Sequence, residues 1–128
     1  MDTRKHVFGG VALGGAEPLF PAAVRHHSLL LLSGQAPVDP ATLAVCAPDF
    51  AAQARYVMER IKETLTSAGA DFSDVLRVEC ILANAQDFPA WNDLYATSFT
   101  APRPARTTVV AGFVLPGMLI EVQVTAGV

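Results

Sequence analysis

The sequence predicts an α+β fold: one mixed β-sheet with two helices packed on one of its faces. Three observations predict it. Two segments, residues 49–69 and 87–99, repeat apolar side chains every three or four positions, the period of a helix with one buried face. Short apolar or alternating runs around them read as strands. The resulting order is strands, helix, strand, helix, two strands, which one sheet with both helices on one side satisfies most economically. The 128 residues make a single domain, 1–128, long enough to bury a core.

Taken in order, residues 6–13 suit a short edge strand, and Gly9-Gly10 and Gly14-Gly15 mark bends or a hairpin. Within residues 22–33 the unbroken Leu29-Leu30-Leu31-Leu32 run, ended by Ser33-Gly34, fits a strand buried on both faces. Residues 37–48 connect, with a turn at Val38-Asp39-Pro40. Asp49 is a suitable N-cap for the first helix, whose inner face is Phe50, Ala54, Val57, Met58, Ile61 and Leu65. Gly69 stops it. In residues 75–82, Leu76, Val78, Cys80 and Leu82 share one strand face, with Arg77 and Glu79 on the other. Asp87 caps a second helix with Pro89 in its first turn. Its inner face is Trp91, Leu94, Tyr95 and Ser98, with Phe99 near the end, and Pro102 and Pro104 close it. Residues 104–126 read as two strands joined at Pro116-Gly117.

Composition narrows the function. Apolar residues make up 52% and charged ones 16%, which fits either a fully wrapped core or apolar surface buried between subunits, and the second reading is favoured. With two helices on one sheet face, the other face would be bare and too apolar for water. The net charge of −3, with no basic cluster, argues against a nucleic-acid partner. No apolar run approaches the ~20 residues of a membrane span. Arg4 and Lys5 have no sustained apolar region behind them, which argues against a secretory leader. Cys46 and Cys80 lack metal-type spacing, and a reducing cytoplasm is the default.

The final strands hold two isolated opposite charges, Arg106 and Glu121. In a two-residue hairpin Glu121 would face Gly112, leaving Arg106 roughly 20 Å away at ~3.3 Å per residue. The two are therefore unrelated, or they meet across a subunit boundary. Meeting there, they could form an interface salt bridge, with Arg77 or Glu79 involved. They could also hold a small organic acid, the guanidinium gripping its carboxylate and the glutamate directing water. His26-His27 would point to opposite strand faces and lacks a third metal ligand. Ser33 is not in a nucleophile elbow, though Ser33 and Gly34 can offer backbone groups to a ligand. Asn92 reads as a local hydrogen-bonding residue.

Five segments in order resemble the Rid (YjgF) family of reactive-intermediate deaminases. They are Ser33-Gly34-Gln35-Ala36-Pro37-Val38; Gln53-Ala54-Arg55 through Ala68-Gly69-Ala70 with Asp74-Val75; Asp87-Phe88 with Trp91-Asn92 and Tyr95; Pro104-Ala105-Arg106-Thr107; and Leu119-Ile120-Glu121-Val122. The resemblance covers nearly the whole chain. It implies a chorismate-mutase-like fold, a homotrimer with sites between subunits, and no metal or other cofactor. The implied reaction is hydrolysis of an enamine or imine acid, such as 2-aminoacrylate or 2-iminopropanoate, to a 2-oxo acid and ammonia. By position, Arg106 would bind the substrate carboxylate and Glu121 would place the attacking water. Ser33, Gly34, Asn92 and Thr108 would line the pocket.

The sequence departs from the family pattern where it touches that pocket. Phe20 stands where tyrosine is usual, and Thr108 where cysteine is common. The loop before Pro104 is shorter than usual, and the stretch from Arg106 to Pro116 is one residue longer. Phe20 would suit a larger or more apolar enamine acid. Two further functions compete: a non-catalytic carboxylate-binding or regulatory trimer, favoured by the missing phenol, and RNA cleavage, disfavoured by the charge.

Overall fold

The computed structural model describes residues 5–10 and 18–128. Six strands form one sheet: β1 (His6–Phe8), β2 (Ala23–His26), β3 (Leu29–Leu32), β4 (Val75–Leu82), β5 (Ala105–Val110) and β6 (Ile120–Gly127). Their order is β1-β2-β3-β6-β4-β5. Helices α1 (Phe50–Ser67) and α2 (Phe88–Ser98) share one core with the sheet, built around Leu30, Leu32, Ile61, Leu65, Val78 and Trp91. Strands β4 and β5 are parallel and joined through α2, as parallel neighbours require a long crossover. Every other pairing is antiparallel.

The expected hairpin of the last two strands does not form. Strand β4 lies between β5 and β6, so Arg106 pairs with Val78 and Glu121 pairs with Ile81, not Gly112. The parallel crossover through α2 brings β5 to the outside of β4 and leaves β4's other edge for β6.

Residues 22–33 make a hairpin, β2 to β3, turning at His27-Ser28, with His27 in the left-handed region at φ 55°. Strand β3 is not buried on both faces. Leu30 and Leu32 are buried, whereas Leu29 and Leu31 are 48% and 50% exposed, because the helices cover only one face. In β4 a bulge between Val75 and Arg77 shifts the alternation. Val75, Val78, Cys80 and Leu82 are buried, and Leu76 is turned out to 55% exposure. The expected N-terminal edge strand appears as β1, followed by Gly9 and Gly10 at positive φ; Gly14-Gly15 lies outside the described residues.

Helix α1 is capped as expected: the Asp49 side chain accepts from the Ala52 N–H at 3.0 Å. It ends at Gly69, φ +79°, with the Ala70 N–H bonded to the Leu65 carbonyl at 2.8 Å. Asp87 makes no side-chain cap to α2, because residues 85–87 already wind a 3-10 turn into the helix. Trp91, Tyr95 and Phe99 are the buried residues of its inner side, with Leu94 and Ser98 half-buried.

Gln53 is fully buried among apolar side chains. Its amide nitrogen donates to the Ala47 and Gly117 carbonyls, both at 2.8 Å, and its oxygen accepts from the Leu119 N–H at 2.8 Å. One side chain therefore satisfies three backbone groups and ties the entry of β6, two residues before Glu121, to α1. Gln53→Leu keeps the volume but leaves those groups unpaired. It is expected to lower the unfolding free energy by about 3 kcal/mol in urea titration; a loss under ~1 kcal/mol would show that the clamp contributes little.

Candidate active site

Glu121 projects from β6 onto the sheet face opposite the helices, in register with Ile81. Strand β3 runs on into Ser33-Gly34-Gln35, and Gln35 bridges Val122 through hydrogen bonds of 2.7 and 3.1 Å. That bridge sets Gly34 against the glutamate. A Cβ on Gly34 would lie 3.0 Å from the Glu121 carboxyl carbon and 3.1 Å from its Oε2. Glycine is needed here for close approach rather than for a turn. Ser33 lines the same place, but its hydroxyl is committed, donating to the Pro21 carbonyl at 2.7 Å. The bond fastens the segment that carries Phe20 to the end of β3.

These residues open on a cleft of about 420 Å³, lined by Phe20, Ser33, Gly34 and Glu121, with Leu43, Phe113, Leu115 and Met118 beyond. Glu121 is half-buried, and desolvation raises its pKa above the usual carboxylate value. A carboxylate with a costly negative charge is a better proton acceptor than a solvated one.

Arg106 lies on the other side of the sheet. Its pairing with Val78 turns it to the helix face, where its guanidinium carbon sits 4.7 Å from the Tyr95 ring centre and 5.6 Å from that of Phe88. Phe88, Asn92 and Tyr95 fall at helical spacing on one side of α2, so the cation rests on an aromatic bed with Asn92 between the rings. The Tyr95 hydroxyl donates to the Pro104 carbonyl at 3.3 Å, holding that ring beside the start of β5. Asn92 Oδ1 and Thr108 Oγ1 are buried without a hydrogen-bond partner among the described residues. Asn92 is thus not serving a local hydrogen bond through its oxygen. Cys80 shares this face, and burial pushes its thiol up to about 12, against the pull of Arg106, so it stays protonated.

The seven residues singled out from the sequence therefore form two groups. Phe20, Ser33, Gly34 and Glu121 share the cleft; Arg106, Thr108 and Asn92 share the α2–β5 edge. Three residues along β4 and two strand spacings separate Arg106 from Glu121, roughly 14 Å between backbones, with side chains on opposite faces. Among the described residues no side chain forms an ion pair with either. Arg77 and Glu79 lie on the face of Glu121, so neither reaches Arg106 within the chain. His26 and His27 are exposed at a turn, and no three metal-binding side chains cluster among the described residues. No described helix is long and apolar enough to cross a membrane.

Sequence reasoning missed the aromatic bed. The spacing of Phe88, Asn92 and Tyr95 was a readable signal once Arg106 was placed beside α2. The cleft residues Leu43, Phe113, Leu115 and Met118 carry no local signal, since only the fold gathers them.

Residues 11–128 match the family model described as Endoribonuclease L-PSP. Protein DfrA of Myxococcus xanthus is 40% identical over 98 residues, covering 77% of this chain and 75% of that protein. The 3-aminoacrylate deaminase RutC of Acinetobacter baylyi is 38% identical over 117 residues, covering 90% and 93%. The crystal structure of YyfA from Yersinia pestis, a Rid-family protein, superposes with a TM-score of 0.85 at 29% identity, covering 98% of this chain and all of that one. The order of motifs, the six-stranded sheet with its two helices and these relatives agree: the chain belongs to the Rid (YjgF) family, whose model carries the Endoribonuclease L-PSP description.

Proposed function

We propose that the protein hydrolyses enamine or imine carboxylic acids to 2-oxo acids and ammonia, in sites completed between the subunits of a cytoplasmic homotrimer. One observation carries this reading. A desolvated glutamate and an arginine with no carboxylate partner among the described residues each stand among site-like residues, on opposite faces of one sheet, so each is half of a site. The open face supports the assembly: Val7, Leu29, Leu31 and Val109 are 64%, 48%, 50% and 48% exposed there. The 3-aminoacrylate deaminase among the relatives supports the chemistry.

In this mechanism Arg106 of one subunit holds the substrate carboxylate through its planar fork. Its aromatic bed fixes the cation without neutralising it, as a carboxylate partner would. Glu121 of the next subunit accepts a proton from water as the oxygen attacks C2 of the imine. The resulting carbinolamine takes a proton on nitrogen, ammonia departs with the C–N bonding pair, and the C2 hydroxyl proton is lost to leave the ketone. An enamine first takes a proton at C3 to become the imine. Phe20 offers no hydroxyl for these transfers, so Glu121 and water carry them.

Arg106→Ala should abolish ammonia release from imino acids generated in situ, and Glu121→Gln should cut it by about a hundredfold or more. Mixed in equal amounts and co-assembled, the two impaired variants should recover about a quarter of wild-type activity, because one site in four pairs an intact arginine with an intact glutamate. No recovery in verified mixed assemblies would place both residues in one chain's site. Binding of 2-oxobutanoate without any turnover would favour the carboxylate-binding alternative.

The raised pKa of Glu121 fixes a second expectation. Its proton is held more tightly in the folded state, so that stabilisation is present below the unfolded pKa and lost as pH rises through the folded one. At neutral pH, Glu121→Gln should maintain or raise the thermal midpoint while cutting kcat by about a hundredfold or more. The stability difference should narrow on acidification, and wild-type activity should fall at a pH above that of an ordinary glutamate. A variant less stable than wild type at neutral pH would contradict this.

A further inference from the structure

The Glu121 cleft is larger and more apolar than a three-carbon imino acid needs. At about 420 Å³ it falls within the range of pockets that enclose much bigger ligands. Beyond Glu121 its walls are Phe20, Leu43, Phe113, Leu115 and Met118. Arg60 also reaches the cleft, but it is paired with Glu63 at 3.7 Å and lies in the field of Asp39. That pair is solvent-exposed and weak, so Arg60 stays solvated, while the other walls beyond Glu121 are apolar.

Leu43 is the informative wall. It sits in the left-handed region at φ 61°, a conformation that a leucine adopts at a cost. The surrounding loop enforces it. The Asp39 carboxylate accepts from the N–H groups of Ala41 and Thr42 at 2.8 and 3.0 Å, and the Leu43 N–H donates to the Asp39 carbonyl at 2.7 Å. Val38 and Val45 close the loop as a β-bridge. Glycine or asparagine would relieve the strain, yet an aliphatic side chain is held there against the cleft. Strain maintained by an over-determined loop is characteristic of a site.

We infer that the cleft around Leu43 is a hydrocarbon subsite, and that the preferred substrates are 2-imino acids with a branched aliphatic or aromatic side chain. This rests on the deaminase reading for its chemistry, but its test does not depend on turnover. The side chain would lie along Phe20 and Leu43, with C2 at Glu121 and the carboxylate directed away from the cleft.

The test is calorimetric titration of the assembled protein with three 2-oxo acids: pyruvate, 4-methyl-2-oxopentanoate and phenylpyruvate. The two larger acids should bind at least about tenfold more tightly than pyruvate. Leu43→Asn removes the aliphatic wall while suiting the backbone, so its thermal midpoint should not fall, and the preference should shrink to within about threefold. Equal or tighter binding of pyruvate, binding of none of the three, or an unchanged preference in folded Leu43→Asn would each overturn the inference. Failure to hydrolyse any imine, with the binding order intact, would instead overturn the deaminase reading alone.

Discussion

The position of β4 is the constraint on which the site depends. It pairs in parallel with β5 and antiparallel with β6, so it separates two strands that are consecutive in the chain. Register then does the rest. Arg106 falls opposite Val78 and turns to the helices, while Glu121 falls opposite Ile81 and turns to the open face. The alternation of a strand has a period of two, so only a slip by an odd number of residues would bring both to one side. Such a slip of β6 against β4 would also expose Ile120, Val122 and Val124, which are buried in the core. The burial of the core and the placement of Glu121 on the open face are thus one fact.

Neither Arg106 nor Glu121 has an oppositely charged partner among the described residues. Arg106 is steadied by the faces of Tyr95 and Phe88, whose quadrupoles attract the cation but leave its N–H fork available. Glu121 is crowded by Gly34 and partly stripped of water, with no cation beside it among the described residues. A structural salt bridge would have used the same two residue types to neutralise one another. On the open face that carries Glu121, Val7, Leu29, Leu31 and Val109 are exposed.

Much of this was legible in the sequence because it is local. The periodicity of residues 50–65, the cap at Asp49 and the stop at Gly69 are set by neighbours within one or two turns. The motif around Arg106 and that around Glu121 were legible for the same reason, and the sheet with two helices followed from element order. What was not legible is non-local. A hairpin was the natural reading of two strands joined at Pro116-Gly117, and nothing within residues 104–126 says that β4 will insert between them. The bulge after Val75 moved Leu76 outward by a change of one residue. Gln53 looked like one more polar residue on a helix, although its three bonds reach residues up to 66 positions away.

The central claim is that the arginine and the glutamate of a working site come from different chains. A crystal structure of the assembled protein with 2-oxobutanoate tests it most directly. The account predicts the ligand carboxylate on Arg106 of one subunit, with its C2 carbon facing Glu121 of another, within roughly 3 Å of the carboxylate or of a water it holds. A ligand contacting Arg106 and Glu121 of a single chain would contradict it. So would an empty interface in which Arg106 is bound to a protein carboxylate.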